Sequence, residues 1–322
     1  MTTPALTALR LALPGSRISY VVEAPFARLV EGHPALDETI LVESGQGPAA
    51  FLGLVRRIRR GRYDAVVDFH GGPRASRLTF LSGAPVRVGY EIPWRRLIYT
   101  VRVARQRADG PVHSVVNHIN LVRALGCDVQ DIPPLALPEP RPEEKARVAT
   151  FIDGNGLAAA RLVVVHVGAG NEFRDWGAAA AAELVRLLYG RPGVRVVLAG
   201  GAEDRERAAG IMNGAPGSVH SVAGTFGWAE LRELIRRAAL FVGPDSGPMH
   251  VAASTETPIV ALFGPTLPAH FAPWRSDRVV ILEKSLDCRP CRQRECLHHD
   301  VRCLRAIAPA EVMAAAARFL PG

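Results

Sequence analysis

The residues best placed by type and spacing to do chemistry lie in one stretch, Phe241-Val-Gly-Pro-Asp245-Ser-Gly-Pro-Met-His250-Val-Ala-Ala-Ser254. Residues 238–242 are apolar and read as a short strand. Residues 243–247 are a tight loop, and a helix begins at Pro248, where a missing N–H costs nothing. Ser246 or Gly247 then falls at the N-cap, a position that favours both residue types. A second strand over 258–263 ends in Gly264-Pro-Thr266. A helix N-terminus held between two parallel strands offers free N–H groups and the positive end of a dipole to an anion, above all a phosphate. A plain strand–helix turn without a ligand has the same local pattern.

The elements around this stretch repeat its logic. Apolar runs at 162–167, 194–199 and 219–222 read as strands. Helical patterns separate them. The loops at their carboxyl ends carry Gly168, Gly170, Arg174, Gly200–Glu203 and Phe226, and the loop after 242 carries Asp245, Ser246, Gly247 and His250. Open α/β sheets bind ligands at that edge, so these loops define a candidate nucleotide site. The N-terminal half alternates as well, with strands over 17–22, 39–42, 65–69 and 86–89 and helices over 2–12, 26–31, 51–60 and 113–125. Five prolines between 133 and 142 mark a linker. The division expected is a first domain over 1–140 and a second over 141–322, each Rossmann-like. The first opens on a helix with no strand before it. A parallel sheet without its central strand leaves unpaired backbone groups on both sides of a slot. Either this domain is unusual, or Met1 is an internal methionine and the true N-terminus lies upstream.

Composition narrows the classes. The chain has 322 residues, 48% hydrophobic and 22% charged, enough for two cores and too apolar for long disorder. No apolar run is long enough to span a bilayer, and no basic-then-apolar leader opens the chain, so a cytoplasmic location is expected. The net charge of +8 is nearly all arginine, since only Lys145 and Lys284 are lysines. That excess suits phosphorylated substrates or an anionic membrane face. Nucleic acid is not expected, because no dense basic helix or aromatic-interleaved basic patch is present. Arg95, Arg96, Arg102, Arg105 and Arg107 crowd one segment. They read either as a solvated face or as a wall for acceptor phosphates or anionic lipid.

Cys288-x2-Cys291-x4-Cys296-x6-Cys303 is a compact four-thiol set with His298 and His299 inside it. Four thiolates can make a tetrahedral zinc site, although the spacing is tighter than a zinc ribbon's. The readings open here are structural zinc, an iron–sulfur cluster, or structural thiols that are reduced or disulfide-paired.

The block Pro244-Asp-Ser-Gly-Pro-Met-His-Val-Ala-Ala253, with Ala261-Leu-Phe-Gly-Pro-Thr266 and Pro273-Trp274, resembles the signature of family 9 glycosyltransferases, the lipopolysaccharide heptosyltransferases. His166-Val-Gly-Ala-Gly170 before Arg174-Asp-Trp176 is similar to that family's small-residue loop and basic-x-Trp element. Glu31-Gly-His-Pro34, Asp68-Phe-His-Gly71 and Arg87-Val-Gly89 resemble its N-terminal half. The resemblance implies a GT-B enzyme, with two Rossmann-like domains facing a cleft, that moves heptose from an ADP-activated donor to a lipid A–core acceptor with inversion. It implies that Gly168, Gly170, Ser246 and Gly247 border the donor diphosphate and that Arg174, where the family usually has lysine, stabilises the leaving group. Glu203 would bind the ribose, Phe226 would lie against adenine, and His250 would contact the diphosphate or brace the loop. Arg95 and Arg96 would face the acceptor. Asp245 is awkward beside a diphosphate unless it takes a sugar hydroxyl or a magnesium ion; no cofactor is otherwise required. The implied location is cytoplasmic, peripheral on the inner membrane. The family's general base is an aspartate in a loop before the first helix, a position ahead of Met1 here; Asp68 is the nearest substitute. Two other functions stay open: a nucleotide-sugar-binding protein without its base, and a nucleotide-sugar epimerase of GT-B fold.

Overall fold

A computed structural model describes residues 1–320 apart from 44, 46, 96, 106–109, 215–216 and 275–276. Two compact units share the chain, Met1–Pro138 and Glu139–Gly322, and the division falls within the proline-rich stretch.

Prolines open many of the helices. Pro48, Pro73, Pro142 and Pro309 each stand in a first turn, where their fixed φ suits the helix and no N–H is lost. This explains one difference from the sequence pattern. The helix expected from residue 51 runs Pro48–Arg60, because Gly47 caps it and Pro48 starts it, ahead of the first apolar residue at Phe51.

Among the described residues the first unit holds five strands, β1 (Ser19–Glu23), β2 (Glu38–Val42), β3 (Ala65–Val67), β4 (Val86–Tyr90) and β5 (Val101–Val103). All pairings are parallel. They form two ladders, β1–β2 and β3–β4–β5, and among the described residues none joins β1 to β3. β5 was hidden in the arginine-rich run: only three residues long, it leaves Arg102 exposed between two half-buried valines.

Among the described residues the second unit holds one parallel sheet of six strands: β6 (Arg161–His166), β7 (Val194–Ala199), β8 (Val219–Ser221), β9 (Leu240–Pro244), β10 (Ile259–Phe263) and β11 (Val279–Glu283). Their order is β11-β10-β9-β6-β7-β8. β6, β9 and β10 are almost wholly buried, which explains their unbroken apolar runs. The helix Ala178–Tyr189 and the C-terminal helix Pro309–Ala316 lay Leu184, Val185, Leu188, Val312, Ala315 and Ala316 into the same core as Val163, Val196 and Leu262. The strand order reverses between β6 and β9. At such a switch point the neighbouring loops leave in opposite directions and open a crevice at the carboxyl edge.

In the first unit, Gly89 of β4 lies against Tyr99, and a Cβ at 89 would run into the phenol ring. Tyr99 in turn donates to Asp68 Oδ2 at 2.6 Å. Gly89→Ala is expected to lower the unit's stability by about 2 kcal/mol through overpacking, read as a fall in the urea midpoint. An unchanged midpoint would mean that the ring moves aside freely.

Candidate functional site

The switch point brings two of the predicted loops together. β6 leads into residues 167–177, and β9 leads into Asp245 and Ser246. Ser246 is the N-cap of the helix Gly247–Ala252, with an extended backbone (φ −157°, ψ 172°). Its hydroxyl donates to Pro244 O at 3.0 Å rather than to the helix amides. Gly247 is needed for packing: a Cβ there would come within 2.9 Å of the Trp228 ring.

Asp245 is 3% exposed. Its Oδ2 accepts from the Thr266 hydroxyl at 2.6 Å and lies 3.4 Å from Arg174 Nη1. Its Oδ1 is 3.8 Å from His250 Nε2. Burial pushes the carboxyl above its ordinary range, and the Thr266 and Arg174 contacts oppose that shift. The aspartate is thus a junction between the loops after β6, β9 and β10.

Arg174 ends a short 3-10 turn, Glu172–Arg174, capped by Asn171, whose Oδ1 accepts from Phe173 N at 2.9 Å. The next two residues are pinned. Asp175 takes a bidentate pair from Arg207, 2.8 Å on each side, and Trp176 Nε1 donates to Ile307 O at 2.9 Å. Arg207 also donates to Val167 O at 2.7 Å, closing the base of the loop. Arg174 itself donates from Nη1 to Asp245 O at 3.3 Å and from Nε to Gln293 Oε1 at 2.8 Å. The result is a cation fixed at the mouth of the switch point and still 28% exposed. Such a group can stabilise charge developing on a leaving phosphate without reorganising.

The glycines on this edge have separate reasons. Gly170 has φ +59°, which only glycine adopts without strain. Gly168 and Gly200 face Asp204, and a Cβ on either would strike its side chain. Asp204 is buried and accepts from Gly201 N at 2.9 Å. Glu203, one residue earlier, is exposed on the loop after β7. Phe226 lies two strands from the switch point, after β8. It is half-buried, edge-on to Phe151 at 5.5 Å, with the Arg147 guanidinium 5.7 Å from its ring centre.

Asp204, Asp175, Arg207, Thr266 and Gln293 were not singled out from the sequence. Asp175 lay within the quoted Arg174-Asp-Trp176 element and Thr266 at the end of the quoted Gly264-Pro-Thr266, and Asp204 follows a glycine pair. Only the structure shows what each one touches.

In the first unit Asp68 is fully engaged. Oδ1 accepts from His70 N at 3.0 Å and Gly71 N at 2.7 Å; Oδ2 takes Tyr99 and, at 3.4 Å, Ser76. An aspartate that anchors a turn in this way is poorly placed to take a proton from a substrate. Arg95 donates to Gly71 O and, at 3.0 Å, to Ser76 Oγ, so it sits on the same turn at the end of β3. Arg96 and Arg107 lie outside the described residues.

All five cysteines are free thiols. Cys288, Cys291, Cys296 and Cys303 line one cavity of about 30 Å³, together with Phe173 and Pro265. Among the described residues, however, no three His, Cys, Asp or Glu side chains are placed to hold a metal ion. Backbone N–H groups, that of His298 foremost and then those of Val301, Asp300 and His299, hold the Cys296 thiol below its usual range. Burial raises that of Cys303.

Six parallel strands with a switch-point crevice, and a second parallel α/β unit in the same chain, fit the GT-B class of fold. The family model "Glycosyltransferase family 9 (heptosyltransferase)" matches residues 51–301. Lipopolysaccharide heptosyltransferase 3 of Escherichia coli is 25% identical across the whole chain and 95% of its own length. Lipopolysaccharide heptosyltransferase 1 of Pseudomonas aeruginosa is 27% identical over 92% of the chain and 83% of its own length. The crystal structure of a family 9 glycosyl transferase from Veillonella parvula superposes with a TM-score of 0.85 at 27% identity, covering 99% of this chain and 92% of that one. The chain belongs to glycosyltransferase family 9 and is a transferase.

His166, at the end of β6, is buried and lowered to about 4 by desolvation; its ring nitrogen Nδ1 donates to Ala199 O at 3.1 Å. The folded state therefore holds this ring neutral. The stability it contributes is complete above the unfolded value of 6.5 and is lost as pH falls towards about 4. That loss is about 3 kcal/mol for this one group. Denaturant titrations of wild type and His166→Gln at pH 7 and pH 4.5 should show a smaller pH loss in the variant. Equal losses would place the sensitivity elsewhere.

Proposed function

We propose that this chain transfers heptose from ADP-heptose to a lipopolysaccharide core acceptor with inversion. The observation that carries the reading is Arg174, held by Asp245 and Gln293 at the switch point of a family 9 fold. Arg174 and the backbone at Ser246–Gly247 take the donor diphosphate, with His250 beside them. Glu203 takes the ribose hydroxyls, and Phe226 takes one face of the adenine. The acceptor hydroxyl attacks the anomeric carbon from the face opposite the diphosphate. The carbon–oxygen bond to ADP breaks, and its electron pair goes to the β-phosphate oxygen beside Arg174. The hydroxyl proton passes to a general base. With Asp245 already met by Arg174 and Thr266, no magnesium is required, because the arginine supplies the positive charge.

With ADP-heptose and a heptose-deficient lipopolysaccharide as substrates, Arg174→Ala should lower kcat about 100-fold. Arg174→Lys should recover part of the loss, since it restores charge without the fork. An unchanged kcat in Arg174→Ala would remove this residue from the chemistry. Lack of turnover with ADP-heptose, alongside turnover of another nucleotide sugar, would overturn the donor assignment.

The acceptor is an anionic lipid, and the first unit carries a surface suited to it. Trp94 and Leu97 are 96% and 90% exposed, next to Arg95. Among the described residues no helix is long and apolar enough to cross a membrane, so the association proposed is peripheral, at the cytoplasmic face. A tryptophan and a leucine entering the headgroup layer beside arginines fit that mode. Trp94→Ala/Leu97→Ala should reduce co-sedimentation with phosphatidylglycerol-containing vesicles about tenfold. The same binding in wild type and variant would exclude this patch.

A further inference from the structure

The cysteine-rich segment 288–303 reaches the turn that carries Arg174 through Gln293. Gln293 Oε1 accepts from Arg174 Nε at 2.8 Å and from Asn171 Nδ2 at 3.2 Å. Asn171 caps the 3-10 turn that ends in Arg174, so one carbonyl oxygen holds both ends of that turn. Gln293 has a left-handed backbone, φ +55°, which directs the chain sharply at this point. The segment around it is itself tied down. Cys291 N donates to Pro265 O at 3.1 Å, and Arg289 Nη2 donates to Thr266 O and to Glu283 Oε2, both at 2.8 Å. Thr266 Oγ1 donates to Asp245, which contacts Arg174. The contacts therefore close a ring: Arg174, Gln293, the backbone to Cys291, Pro265–Thr266, Asp245, and Arg174 again. Phe173 lies in the wall of the cysteine cavity and adds an apolar tie from the same turn.

We infer that Gln293 is a positioning residue for the leaving-group cation: it fixes the Nε edge of Arg174 so that the remaining N–H groups face the donor diphosphate. The amide suits this task better than an acid. It accepts the Nε proton while leaving the guanidinium charge uncancelled. Glu at 293 would place a second carboxylate against Arg174 in addition to Asp245 and draw the cation away from phosphate. The four-thiol segment then acts as the frame for Gln293, with no thiol touching substrate.

The inference rests on the proposed role of Arg174, so its test has one readout that needs no turnover. In wild type the Arg174 Nε–H resonance should exchange slowly with solvent, and in Gln293→Met, close in volume but with only a weak thioether acceptor, it should exchange at least tenfold faster. In the ADP-heptose assay Gln293→Met should lower kcat about tenfold with acceptor KM changed less than twofold. Gln293→Glu should keep the Nε–H protected yet lower kcat further. In an Arg174→Ala background, Gln293→Met should add nothing. Equal exchange in wild type and Gln293→Met, or a kcat loss that is additive with Arg174→Ala, would overturn the inference. If wild type turns over no ADP-heptose, the donor reading fails, and the exchange rates alone decide whether Gln293 holds Arg174.

Discussion

A carboxylate at the end of β9 is removed almost completely from water, which disfavours its charge. Asp245 is compatible with that position because the Thr266 hydroxyl and the Arg174 guanidinium reach it from two other loops. Each loop comes from a different strand end. The contact therefore does more than satisfy one acid: it sets how the ends of β6, β9 and β10 stand to one another. Removing one partner of such a pair leaves a buried charge without compensation, whereas removing both can be nearly neutral. The arrangement is thus sensitive to any change that loosens one member alone.

The sheet explains why this junction lies where it does. In a parallel sheet every loop at one edge follows a strand's carboxyl end, and only the reversal between β6 and β9 opens space between neighbouring loops. The flanking contacts then remove freedom from the loop after β6. Asp175–Arg207 and Trp176–Ile307 fix the chain on one side of Arg174, and Asn171 caps it on the other. The first unit has a comparable hub in Asp68, which gathers two backbone amides, Tyr99 and Ser76, with Arg95 donating to Ser76 and to Gly71 of the same turn. There the carboxylate builds a turn.

Much of this was legible in the residues. The buried strands of the second unit announced themselves as continuous apolar runs, and 194–199 was read with its bounds correct. Pro248 and Ser246 marked the start of a helix that does begin there. The β5 strand was illegible because three residues carrying an arginine give no periodic signal. The start of the helix at Pro48 was missed because capping, not hydrophobicity, sets it. Asp245 was recognised as a site candidate, but its burial and its contact with Thr266, twenty-one residues on, were not legible, because they are properties of packing. Gln293 carried no signal at all: an amide in a cysteine-rich loop looks like solvent-facing filler until Arg174 is placed beside it.

The packing of Gly168 and Gly200 around Asp204 has a consequence for how sequences of this kind can drift. Neither glycine can gain a side chain unless the Asp204 carboxylate shifts, and a smaller residue at 204 would open a void beside both. Three positions on two different loops are therefore one unit of variation. A relative with alanine at the first should lack the acid at the third, and the two changes should be found together or not at all.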